Sequence, residues 1–206
     1  MSDNSSFDSE APSEDDSKEE EDTKSLTEKE KEKEKAKSCL QGIEEVENIN
    51  LINAISKTLT TILESNKKLK NYRDILKKQC MMYFSANSIP NISIKDYLIR
   101  IQNYSKMEKS TLILSMIVID HMCKKSNIVL TIYNIHRILF SSVLISIKYN
   151  EDSYYDNNFY SQIAGVKPNE LKLLEYTFLE YNDFNIYVKD DEYKQYEKYL
   201  NISVVD

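Results

Sequence analysis

Between Leu112 and Ile119 seven apolar residues surround a single serine, Ser115, inside a segment that reads as one helix from Ser105 and Glu108 to about Lys125. A helix that is apolar almost all round has to be enclosed by other elements, so this stretch commits the chain to a fold built around it. The run ends at Asp120 and falls well short of the roughly 18 residues that a membrane helix requires, so no membrane span is expected. A second long helix is predicted from Thr131, as N-cap, through Ile132 to Lys148. Its inward positions would be Ile135, Ile138, Leu139, Val143 and Ile147, with small Ser141 and Ser142 allowing close packing.

The flanking segments carry helical periodicity too. Leu51, Ile52, Ala54, Ile55, Leu59, Ile62 and Leu63 mark one buried stripe over 48–66, and a less regular segment, Tyr72 to Phe84, runs on to a break at Asn87 to Pro90. Ser93 with Asp96 three residues later is a weakened capping box that opens a short helix to about Gln102, and Ser105 with Glu108 repeats the device. Asn157 to Ala164 forms a short helix that Gly165 can end in the left-handed conformation. Pro168 suits the first position of the next helix, which runs to about Glu180, and Asp190 to Leu200 closes the series. No glycine-rich hairpin turn and no sustained period-two run occurs, so the fold is all-α.

Only two glycines occur in 206 residues, Gly42 and Gly165, with no GxGxxG or GxxxxGK around them, which argues against phosphate-cradling enzymes and a nucleotide cofactor. Charge is divided unevenly. Residues 1–38 hold 14 acids and 7 lysines, whereas 39–206 hold 20 of each sign, so the folded part lacks the basic footprint expected of a nucleic-acid partner. The first 38 residues contain few hydrophobic side chains and read as a disordered acidic tail, in which Glu28 to Lys35 would form at best a marginal helix. Ser5, Ser13 and Ser17 each have an acid three residues on, a pattern that acidophilic kinases favour. Cys39, Cys80 and Cys123 are odd in number and lack CxxC spacing, and no charged-then-apolar leader opens the chain. This points to a reduced, intracellular protein of the cytoplasm, the nucleus or both.

The run Ser88-Ile89-Pro90-Asn91-Ile92-Ser93-Ile94-Lys95-Asp96-Tyr97-Leu98-Ile99-Arg100-Ile101 resembles the start of the cyclin box in the P/U-type cyclins, the group that includes the yeast phosphate-regulating cyclin. Further matches follow in order: Ile117-Val118-Ile119-Asp120, Asn134-Ile135-His136-Arg137, Lys148 to Asp152, and Glu170-Leu171-Lys172-Leu173-Leu174-Glu175. Leu51 to Asn66 is similar to that group's helix before the box, so the likeness covers about 48 to 188. The chain departs from the family at Ala164-Gly165, where two glycines are usual, and at Glu170-Leu171-Lys172, where Glu-Leu-Asn is favoured. The resemblance implies a single five-helix box, with its core at about 93–184, flanked by helices within a domain spanning 39–206. It leaves no room for a second box.

It also implies a role: a regulatory subunit that binds and activates a cyclin-dependent protein kinase and supplies no catalytic group of its own. By resemblance, Lys148 and Glu175 face the kinase, and the aromatic residues Tyr149, Tyr154, Tyr155 and Phe159 suit the same interface. Arg100 and Asp120 correspond to a structural ion pair joining the first two box helices. Tyr97, Leu98 and Ile101 lie where some cyclins dock substrates, although helical spacing makes core packing the stronger expectation. His136 lacks the nucleophile and orienting group that a general base needs. His121 and Cys123, two apart on a helix, diverge too far to share a metal, and Cys123 reads as a small core residue. No metal and no small-molecule substrate is expected. The competing reading is a cyclin-fold adaptor that binds a non-kinase protein without activating anything.

Overall fold

The computed structural model describes residues 46–79 and 83–202. The readings made for the acidic tail, Ser5, Ser13 and Ser17 among them, and those for Cys39 and Cys80 lie outside the described residues. Within them every regular element is a helix, with no strand. The helices are α1 (46–67), α2 (Tyr72–Gln79), α3 (Ile94–Ser105), α4 (Lys109–Ser126), α5 (Ile135–Asn150), α6 (Asn157–Ala164), α7 (Pro168–Tyr181) and α8 (Asp190–Ile202).

The apolar run sets the architecture. Every residue from Thr111 to Ile119 is buried, and α4 packs chiefly on α5, which in turn packs on α7, while α8 covers another side of α4. All five positions predicted to face inward on α5 are buried, as are Ser141 and Ser142. Ser142 Oγ donates to the Ser115 carbonyl at 2.5 Å, a contact between backbone and side chain that only small residues permit at this helix crossing. On α1 the predicted stripe is buried except at Ile62, which faces out toward a groove bordered by α4 and α8. Tyr97, Leu98 and Ile101 belong to the core, with the Tyr97 hydroxyl donating to the Ala164 carbonyl at 3.2 Å.

Local signals hold where their partners are near in sequence. Ser93 Oγ accepts from the Asp96 amide at 3.0 Å and donates to its carboxylate at 2.6 Å, opening α3 as expected. Gly165 ends α6 at φ 74°, and Pro168 opens α7. Two starts differ. Ser105 does not cap α4: α3 continues through it, Ser105 Oγ donates back to Ile101, and Lys106 makes the left-handed turn, pinned by buried Met107, whose carbonyl accepts from Gln102 Nε2. Glu108 is the actual N-cap and makes no side-chain capping bond; its own amide donates to Glu151 Oε1 at 2.9 Å, and Thr111 Oγ1 donates to the same oxygen. The α4 start is thus anchored by a residue from the end of α5. Likewise α5 begins at Ile135, because Thr131 first forms a turn in which its amide donates to Asn134 Oδ1 at 2.8 Å and its carbonyl accepts from Asn134 and Ile135.

Candidate functional site

At the C-terminal end of α5 the backbone turns sharply, leaving Lys148 on the last turn, where a cation is favoured by the helix dipole. Asp156 then caps α6, its Oδ1 accepting the Phe159 amide at 2.9 Å. That bond, aided by the Asn158 side chain, holds the Asp156 carboxyl below its ordinary range. The cap fixes Asn157 at the first position of α6, facing back toward α5. Glu175 enters from the middle of α7.

These three side chains meet. Lys148 Nζ lies 2.5 Å from Glu175 Oε1 and donates to Asn157 Oδ1 at 2.8 Å, while Asn157 Nδ2 donates to Glu175 Oε2 at 2.9 Å. The Lys148 and Glu175 side chains are 24% and 18% exposed, so the cluster lies at the surface but is largely shielded. An ammonium carries three donors, and two are satisfied here, leaving one for an acceptor from outside. Sequence reasoning misses Asn157: its one local signal is its place at the start of a short helix, and its bonds reach residues 9 and 18 positions away.

Around the cluster the predicted aromatic residues divide by role. Tyr149, Tyr154 and Tyr155 are more than half exposed. Phe159 is half-buried, with its ring 4.2 Å from that of Tyr155 and 5.7 Å from that of Tyr160, which is buried and anchors the group. Tyr155, an apolar body with a polar tip, is held by Phe159 and buried Tyr160, and exposed tyrosines of this kind suit protein contact.

The expected Arg100–Asp120 ion pair does not form. Arg100 Nη2 donates to the Gln162 carbonyl at 2.8 Å, in the last turn of α6, where exposed carbonyls and the helix dipole attract a cation. Asp120 pairs with Lys124 at 2.5 Å and accepts from the Tyr196 hydroxyl, brought in by α8. Both residues are half-buried rather than enclosed, so neither needs the other for neutralisation. Asp120 therefore secures α8 onto α4, assisted by His121 Nε2, 2.7 Å from Glu192 Oε1. Cys123 is half-buried against the core, where burial pushes its thiol up to about 12. His136 Nε2 donates to the Ile92 carbonyl at 3.0 Å, and its ring packs on Tyr97. Among the described residues no helix is long and apolar enough to cross a membrane.

Comparison with known proteins gives the family. The family model described as Cyclin matches residues 8–186. Cyclin-U4-2 of Arabidopsis thaliana is 32% identical over 148 residues, covering 71% of this chain and 68% of the relative. The PHO85 cyclin-like protein psl1 of Schizosaccharomyces pombe is 27% identical over 165 residues, 76% of this chain and 68% of its own length. Cyclin-U3-1 of Arabidopsis thaliana reaches 36% identity over a shorter span of 105 residues, 51% of this chain and 48% of the relative.

Proposed function

The chain belongs to the cyclin family, with relatives of the P/U type, and on that premise we propose that it binds and activates a cyclin-dependent protein kinase through the Lys148–Asn157–Glu175 cluster and the tyrosines beside it. Members of this family are regulatory subunits, and the chemistry of phosphate transfer belongs to the partner. The observation that carries the proposal is the prepared state of Lys148: paired, oriented, and still holding one N–H for an acceptor.

A carbonyl from the loop before the kinase C-helix would take that third donor. Because Lys148 is already immobilised by Glu175 and Asn157, contact costs little side-chain entropy, which is the physical use of a preformed cluster. The tyrosines would cover the contact and exclude water around it. Held inward, the C-helix places its glutamate against the catalytic lysine and frees the activation segment, the arrangement a kinase needs before transfer. The adaptor reading draws on the same geometry, since Lys148 and Glu175 satisfy each other without a partner.

Reversing the pair separates the two readings. Lys148→Glu alone sets two carboxylates against each other, and we expect a loss on the order of 2 kcal/mol of stability. Lys148→Glu combined with Glu175→Lys retains an internal ion pair while inverting the charge offered outward. The double variant is expected to keep its helix content and melting temperature yet fail to recover an active kinase in an affinity pull-down from the native cell. Equal kinase activity in eluates from the double variant and the unaltered chain would refute the proposal, and recovery of a non-kinase protein by both would favour the adaptor.

A further inference from the structure

The overall neutrality of 39–206 conceals a segregation of charge. Over 67–78 the chain carries Lys67, Lys68, Lys70, Arg73, Lys77 and Lys78 against the single acid Asp74, whereas the rest of 39–206 has 14 basic and 19 acidic residues. These cations lie on one continuous feature: the end of α1, two successive turns closed by the Ser65 and Asn66 carbonyls, and α2. All six are exposed. Lys67 pairs with Glu64 at 2.6 Å, but Lys68, Lys70, Arg73 and Lys78 form an ion pair with no described residue.

Helix electrostatics account for part of this set. Lys67 and Lys68 complement the negative end of α1, and Lys77 and Lys78 that of α2. Lys70 and Arg73 have no such reason. They flank the positive end of α2, where the dipole and the neighbouring cations both disfavour them. Beside them Leu69 is 42% exposed, an apolar contact point within the basic field.

We infer that the junction of α1 and α2 is a docking surface for a short acidic peptide segment of a protein partner, one that carries an apolar residue for Leu69. Charge complementarity selects the anion, and the charge of the remaining domain selects its extent. Nucleic acid and an anionic bilayer present negative charge over distances well beyond two helical turns, and they would meet the net acidity of the rest of the domain. The bilayer is disfavoured on a second ground: Tyr72, Ile75 and Leu76 are already half-buried, so the apolar side of α2 is not free to insert. A peptide only as long as the basic field avoids both obstacles. This inference goes beyond the kinase reading and does not depend on it.

Fluorescence anisotropy with the full chain tests it. The probe is a fluorescein-labelled peptide of glutamate and aspartate with a leucine at every fourth position, matched in length to the basic segment. Saturable binding that weakens with added NaCl is expected, together with a loss of about tenfold or more in affinity in the Lys70→Glu, Arg73→Glu variant. Lys194→Glu with Lys198→Glu on exposed α8 positions is expected to bind like the unaltered chain. Should the glutamate variant lose helix content by circular dichroism, Lys70→Gln with Arg73→Gln takes its place, with a smaller loss expected. Undiminished binding in a folded variant would overturn the inference. So would absence of binding by the unaltered chain, or stronger binding to phosphatidylserine vesicles or a DNA duplex than to the peptide.

Discussion

His136 shows how one buried side chain ties stability to pH. Its Nε2 donates to the Ile92 carbonyl, which leaves Nδ1 as a buried acceptor without a partner among the described residues. Burial lowers its pKa from the ordinary 6.5, so the folded chain holds the ring neutral while the unfolded chain protonates it. The stability this contributes is complete above the unfolded value and is lost as pH falls toward the folded one. Melting temperature followed by circular dichroism should therefore decline as pH falls through the ordinary value of 6.5 and below. In His136→Gln, which keeps a donor for Ile92, the decline should be shallower; an unchanged slope would assign the titration to another group. At the same scale, Asn157 converts a lysine–glutamate pair into a three-membered network, and replacing it with alanine is expected to weaken kinase recovery more than it lowers the melting temperature.

Elements here are terminated by a mixture of local and distant chemistry. Gly165 ends α6 within its own sequence, and the left-handed φ explains the residue type: Gly165→Ala should cost about 1 kcal/mol through backbone strain alone, as no atom crowds the position. The start of α4 is the opposite case. Glu151 Oε1 accepts from the Glu108 amide and the Thr111 hydroxyl, and neighbouring Asn150 Nδ2 donates to both Ser110 and Thr111, so two residues at the end of α5 hold the first turn of α4. Glu151→Ala should lose roughly 1–2 kcal/mol in chemical denaturation, the range of a lost cap. A change within 0.3 kcal/mol, an approximate limit of detection, would mean that solvent serves those groups equally well.

For the molecule as a whole, stability centres on the crossing of α4 and α5. Ser115 and Ser142 are fully buried there, and the 2.5 Å bond between them sets how closely the two helices approach. Ser142→Leu adds volume to a closed crossing and removes that bond, so a loss of about 2–4 kcal/mol is expected in urea unfolding. Ser142→Ala, which removes only the bond, should lose about 1 kcal/mol. If leucine were tolerated as well as alanine, the crossing would not be tightly packed, and the account of α4 as an enclosed helix would need revision.

The sequence by itself determined the all-helical content, the enclosed pair α4 and α5, the Ser93 cap, the Gly165 stop and the Pro168 start. Each depends on residues within a few positions of one another, which periodicity and cap chemistry read directly. Through family likeness it also singled out Lys148 and Glu175. Tertiary structure alone decided that Asn157 joins them, that Glu151 rather than Ser105 secures α4, and that Arg100 and Asp120 turn to Gln162 and Tyr196 instead of to each other. These last contacts span from 43 to 76 positions in the chain. A polar side chain takes whichever partner the packed helices bring within reach, and that choice is fixed only once the apolar faces have set where the helices lie.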